Sequence, residues 1–156
     1  MQGARIRGRG LTVVALLLLL LLFAQGLAAN RADASNHPHR RRAHMLGLTN
    51  EDRVERDKAA LTLDAKLSRY AKRHSTWMAE KGHLFHSTDL ASKLKGVDWS
   101  IGGENVGVGT TLEGLEKAFM RSKPHRKNIL RTAFDNTAIG IVRADGKLWV
   151  TIIFYG

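Results

Sequence analysis

"TAIGIVRADGKLWVTIIFYG", residues 137–156, is the stretch that decides the fold class. Two apolar runs flank "ADGK", and Asp145-Gly146 is the kind of dipeptide that closes an antiparallel hairpin. Upstream, "GGENVGVG" (102–109) is a third strand candidate, but it sets Glu104 among four glycines and two valines. A solvent loop would not need the valines, and a wholly buried strand would not carry the carboxylate. Both are satisfied if Glu104 faces a polar cleft.

Helices surround these strands. Asp64 follows the extended "LTL" of 61–63 as an N-cap, and Leu67, Tyr70, Ala71, His74 and Met78 recur at three- and four-residue steps. This spacing predicts a helix over 64–81, stopped by Gly82. A shorter helix is expected before it, from Thr49 to Lys58, with Thr49 or Asn50 as cap. Another is expected over Leu112–Ser122, capped by Thr111, with Leu112, Leu115, Ala118 and Phe119 inward. Pro124 disfavours a helical Lys123 and ends it, and "HRKNIL" reads as one further turn. Helices and strands mix without βαβ alternation. The class is therefore α+β, helices packed on a small, mostly antiparallel sheet.

The first 28 residues read as a secretory signal peptide, not as part of the fold. Arg5, Arg7 and Arg9 precede an apolar run from Leu11 to Phe23, and "GLA" (26–28) supplies small residues for cleavage after Ala28. The run is shorter than the roughly 20 residues that span a bilayer core. Uncleaved, it would retain the chain at the membrane; either way the rest lies outside the cytoplasm. Residues 29–45 are polar and basic and read as a disordered leader. His37, His39 and His44 beside Arg40–Arg42 could meet a metal or an anionic surface, but a solvated spacer is the plainer reading. Order is expected from Leu46 to Gly156, and a domain of about 110 residues can bury about two-thirds of its unfolded surface.

Charge and composition narrow the function. The chain carries 25 Lys+Arg against 14 Asp+Glu, a formal net charge of +11. Such a surface favours anionic envelope polymers or lipids; no nucleic-acid-binding pattern accompanies it. With no cysteine, disulfides, thiolate zinc sites and thiol nucleophiles are excluded. The glycine cluster is no dinucleotide fingerprint, because Leu112 stands where a third glycine is needed. Phosphate loops, zincin motifs and nucleophile elbows are absent. What remains is a scatter of His86 in "GHLFHS", Glu104, and His125 in "SKPHRKNIL", too far apart to meet except through the fold. Other residues take structural readings: His74 packs, His83 is exposed, and Trp77, Trp99 and Trp149 are core or cleft-rim aromatics. Asn105 fixes backbone at the strand start beside the cleft. Arg126 and Asn128 anchor the turn after His125. The glycines at 102, 103, 107 and 109 permit tight packing or positive φ.

Together "LFHS", "GGENVGVG", "AFMRSKPHRKNIL" and the terminal hairpin resemble the CAP superfamily of cysteine-rich secretory proteins, antigen 5 and pathogenesis-related 1, in its cysteine-free bacterial branch. "LDAKLSRYAKRHSTWMAEKG" matches that family's first long helix, and the likeness runs from about Leu46 to Gly156. The resemblance implies an α–β–α sandwich with a cleft lined by a His–Glu–Glu–His tetrad, which in some members holds a divalent metal. His86, Glu104 and His125 match three of the four. Ser122 stands where the second acid belongs, and Glu116 is a stand-in at the wrong offset. Two imidazoles and a carboxylate would suit zinc at roughly 2.0–2.2 Å with a position open to water; without metal they can hydrogen-bond one another. A helix N-terminus at His125 would disfavour its charged form. Two functions follow as expectations. One is an exported binding module for a hydrophobic small ligand, a lipid or a wall component, the lipid being implied by other branches of the family. The other is a metal-dependent hydrolase or peptidase in the same cleft. The missing acid and the absence of a serine or cysteine nucleophile argue against catalysis.

Overall fold

The computed structural model describes residues 38–156. The signal-peptide reading of residues 1–28, and the leader reading as far as His37, lie outside them. The first described element, α1, is helical over residues 38–54. The basic leader is thus not disordered in its second part, and order does not wait for Leu46. Met45, Thr49 and Arg53 recur every fourth residue and are each fully buried, while Arg40 and His44 stay exposed. Thr49 and Asn50 do not cap a helix but lie inside this one. Their side chains serve distant partners: Thr49 Oγ1 donates to Glu116 Oε2 at 3.2 Å, and Asn50 exchanges two hydrogen bonds with the backbone of Leu61. That last pair fixes the chain as it enters β1 (Thr62–Leu63).

Helix α2 is regular over Leu67–Lys81 and ends at Gly82, whose φ of 70° suits a left-handed cap. Asp64 stands outside the regular turns yet still caps, because its Oδ1 accepts the Leu67 amide at 2.8 Å. Leu67, Ala71, His74 and Met78 are buried as the spacing predicts; Tyr70 is only half-buried. The short α3 (Leu90–Lys93) was not legible from periodicity. Helix α4 spans Leu112–Arg121, with the Thr111 side chain accepting from the Gly114 amide. Its inner face takes Glu116 rather than Ala118, which is exposed. The break falls at Ser122, one residue before the expected place, and Lys123 opens α5 (Lys123–Ile129) with Pro124 in its first turn. Proline is tolerated there because the first-turn amides have no intrahelical partner.

The sheet runs β1-β3-β4-β2, with β2 at Gly102–Gly109, β3 at Asn136–Ala144 and β4 at Lys147–Tyr155. β1 pairs parallel with β3, and the other two pairings are antiparallel. Asp145 (φ 48°) and Gly146 (φ 73°) form the two-residue turn, both with positive φ, so the twist of the hairpin is preserved. Side chains alternate between two cores. Ile139, Ile141, Val150, Ile152 and Phe154 meet Met45, Leu115, Phe119 and Ile129 on the face of α1, α4 and α5. Ala138, Ile153 and Tyr155 meet Leu67, Ala71 and Leu94 on the face of α2 and α3. The result is an α–β–α sandwich. Gly140 lets α2 lie directly on β3, since a Cβ there would sit 2.1 Å from the carbonyl carbon of Ala71. The glycines of β2 serve close packing too, not positive φ: a Cβ on Gly107 would meet Phe119 at 2.8 Å.

Candidate functional site: a buried carboxylate at the edge strand

Glu104 lies on β2, the edge strand, opposite Ile153 of β4. Opposed residues share a face, so Glu104 projects to the α2 side and Asn105 to the α5 side. The Glu104 side chain is 5% exposed. Its carboxylate is held by three donors from one short segment. His86 Nδ1 lies 2.8 Å from Oε1, the Ser87 amide donates to Oε1 at 2.9 Å, and the Ser87 hydroxyl donates to Oε2. A buried carboxylate needs such filling, because each oxygen loses water on burial. With Nδ1 turned to Glu104, the Nε2 edge of the imidazole is left to solvent, and the His86 side chain is 61% exposed.

The other face of β2 holds His125. Asn105 Nδ2 donates to the His125 carbonyl at 3.1 Å, and Asn128 Nδ2 donates to Asn105 Oδ1 at 2.9 Å and to the Glu104 carbonyl at 3.2 Å. Asn105 and Asn128 thus fix α5 against β2. Arg126 reaches back to the Met120 carbonyl. The His125 ring stacks edge-on against Phe119 with centroids 5.2 Å apart. Its pKa is held below the usual imidazole range, by burial first and by the nearby charge of His86 second. The direction agrees with the sequence expectation, but burial, not the helix terminus, leads the cause.

The fold therefore brings His86 and Glu104 into direct contact and sets His125 near His86. Among the described residues no hydrogen bond joins His125 to Glu104, and no group of three His, Asp or Glu side chains converges as a metal cage. Three of the acceptor positions of the carboxylate are taken by His86 and Ser87, and the His86 nitrogen nearest it is occupied. As arranged, the described residues supply no three-ligand cage for a divalent ion. Glu116 is no stand-in. It faces α1, bound to Thr49, on the opposite side of the sheet from Glu104. Ser122, at the expected acid position, closes α4 instead.

A cavity of about 500 Å³ opens beside His86 and Ser87 and runs along α2 past Phe85, Trp77 and Tyr70. Trp77 is 53% exposed and forms its rim, as sequence reasoning allowed; Trp149 is buried in the core. His74 is buried, with Nε2 2.9 Å from the Phe85 carbonyl, so it positions the cavity wall. His83 is exposed. Ser87 went unnoticed in the sequence. Its only signal was adjacency to His86, and a serine beside a histidine is too common to notice.

Comparisons with known proteins agree with this architecture. A curated relative, the uncharacterized protein YkwD of Bacillus subtilis, is 33% identical over 112 residues, covering 67% of this chain and 43% of its own length. The chain thus matches under half of that relative. An outer surface protein of Borrelia burgdorferi superposes with a TM-score of 0.65 at 17% identity, covering 72% of this chain and 90% of that one. An extracellular SCP-domain protein of Bacillus anthracis gives 0.62 at 23% identity, covering 76% of this chain and 41% of that one. These structural likenesses carry the fold. The family model of the cysteine-rich secretory proteins, CAP, matches residues 46–154, and the chain belongs to that family.

Proposed function

We propose that this protein is an exported CAP-domain binding module, acting outside the cytoplasm on a lipid or a wall component held in the cavity beside His86. The observation that carries this reading is the engagement of Glu104 by the segment that carries His86 and Ser87. A carboxylate that accepts from His86, from the Ser87 amide and from the Ser87 hydroxyl is engaged in holding the cavity wall rather than standing free as a base. The cavity offers aromatic faces at Tyr70, Trp77 and Phe85, the lining of a ligand site. The leader read in residues 1–28 supports the exported localisation. Among the described residues no helix is long and apolar enough to cross a membrane.

A second reading rests on one observation. His86 has a carboxylate behind Nδ1 and a solvent-facing Nε2, the arrangement of an oriented general base. It would make the protein a hydrolase activating water without metal. One experiment separates the two. Trp77 emission is followed while a short-chain anionic amphiphile or a soluble wall-glycan fragment is titrated. Turnover of peptide, ester and glycoside substrates is measured in parallel on wild type and His86→Ala. Saturable quenching that is lost in Trp77→Phe, with no turnover, supports the binding module. Turnover abolished by His86→Ala overturns it in favour of the hydrolase.

A further inference from the structure

The cavity beside His86 does not end at Tyr70. A second hollow of about 310 Å³ continues along α2 and shares Tyr70, Arg73 and Lys93 with the first. Its walls are cationic. Lys66 at the N-cap of α2 and Arg69 and Arg73 within it stand at three- and four-residue steps on one stripe, and Lys93 and Lys95 face them from α3 and the loop beyond. From Lys66 to Arg73 the stripe covers about 10 Å of helix axis at 1.5 Å per residue.

The acids nearby do not neutralise it. Asp64 accepts the Leu67 amide and the Tyr155 hydroxyl. Asp89 accepts the Tyr70 hydroxyl at 2.5 Å and pairs with Lys93 at 3.0 Å. Among the described residues, Lys66, Arg69, Arg73 and Lys95 have no carboxylate within ion-pair distance. Holding these like charges together costs free energy that an anion would return. At the other end of the trough the lining is aromatic. Trp77 is half-exposed and meets Phe85 edge-on at 5.2 Å, and Tyr70 is braced between Arg73 and Lys93.

We infer that this continuous trough binds an acidic polysaccharide, with sugar rings against Trp77 and Tyr70 and carboxylate, sulfate or phosphate groups against Arg69, Arg73 and Lys95. This deepens the binding-module reading and rests on it, by choosing a wall-type polyanion over a lipid. Two features favour the glycan over an anionic membrane. The surface is concave along its length, whereas a bilayer needs a flat or convex basic face. The cations and aromatics also follow one another along α2, which suits an extended chain bearing both rings and charges more than a plane of headgroups.

The test uses the full chain and oligogalacturonate as probe. Its neutral methyl ester, dextran, and phosphatidylglycerol vesicles serve as comparisons at low and physiological salt. Oligogalacturonate binds saturably, the ester and dextran at least about tenfold more weakly, and the salt dependence is steep. Arg73→Ala combined with Lys95→Ala weakens oligogalacturonate about tenfold or more, and Trp77→Ala weakens both oligogalacturonate and its ester. Lys117→Ala combined with Arg121→Ala removes the same charge from a separate hollow bordered by Met120 and leaves affinity unchanged. Circular dichroism verifies that each variant is folded. Equal losses in both double variants overturn the inference, because general charge then suffices. Binding to vesicles without oligogalacturonate overturns it in favour of a membrane. If dextran or an amphiphile still saturates the cavity while oligogalacturonate does not bind, the inference falls and the binding-module reading stands. If no probe saturates the cavity, both fall.

Discussion

Glu104 and Glu116 are buried carboxylates on opposite faces of one sheet, 8% and 3% exposed, and they are treated differently. Glu104 accepts three hydrogen bonds and anchors the segment that carries His86. Glu116 has one described donor, Thr49, and its Oε1 has none. Burial raises the Glu116 pKa to about 7, with Asp52 adding to the rise and the Thr49 bond opposing it. The difference teaches that burial alone does not make a site: a buried charge is stabilising to the extent that its hydrogen-bond valence is filled. Arg53 extends the lesson to a cation. It is fully buried, and its guanidinium donates to the carbonyls of Ala59, Ile129, Arg131 and Phe134. No residue pattern announced it, since an arginine in a helix is ordinarily read as solvated.

The comparison can be broken first at Arg53. Arg53→Ala strands buried carbonyls at the end of α5 and in the loop before β3, and about 4 kcal/mol of unfolding free energy should be lost in denaturant titration. A loss under about 1 kcal/mol would show that filled valence does not matter here. Glu104→Ala comes next. It leaves the Ser87 amide and hydroxyl without their acceptor, so stability should fall by about 2–3 kcal/mol. Hydrogen exchange should quicken over residues 85–89 while the α1 face is unaffected; uniform exchange across both faces would refute a local anchoring role.

Glu116→Gln should act in the opposite sense. A carboxyl whose folded pKa of about 7 lies above its ordinary 4.5 binds its proton more tightly in the folded state. Its contribution is therefore full below about pH 4.5 and is lost as pH rises through about 7. The glutamine should flatten that slope and be more stable than wild type by about 2 kcal/mol at about pH 8. Parallel pH–stability curves for the two would contradict the unfilled-valence account. Thr49→Val is the gentlest probe. Loss of its hydroxyl removes the one described donor to Glu116, so the variant should lose about 1 kcal/mol at neutral pH and less at about pH 4, where the carboxyl is mostly protonated in both states.

Much of this was legible in local signals. The "ADGK" turn, the stripe of Leu67, Ala71, His74 and Met78, and the Thr111 cap each depend on residues within a few positions of one another. The Gly-Glu-Asn and His-Arg-Lys-Asn motifs named the family and gave Glu104, Asn105 and His125. Signals that depend on remote partners misled. Thr49 and Asn50 have the side chains of helix caps, yet they lie inside α1, bonded to Glu116 and Leu61. Residues 38–45 have the charge of a spacer, yet Met45 anchors them in the core. Glu116 lay on the right helix for the missing acid but faces the wrong side of the sheet.

By itself the sequence determined the α+β class, the hairpin and the identity of the residues that could form a cleft. Backbone periodicity and turn chemistry act over a few residues and leave their mark there. Only the tertiary structure decided that β2 is an edge strand and which of its faces Glu104 and Asn105 each serve. It alone showed that His86 closes on Glu104 while His125 packs against Phe119, and that a basic trough continues from the cavity. Hydrogen-bond saturation and burial are set by which distant elements pack together, and no local pattern contains that information.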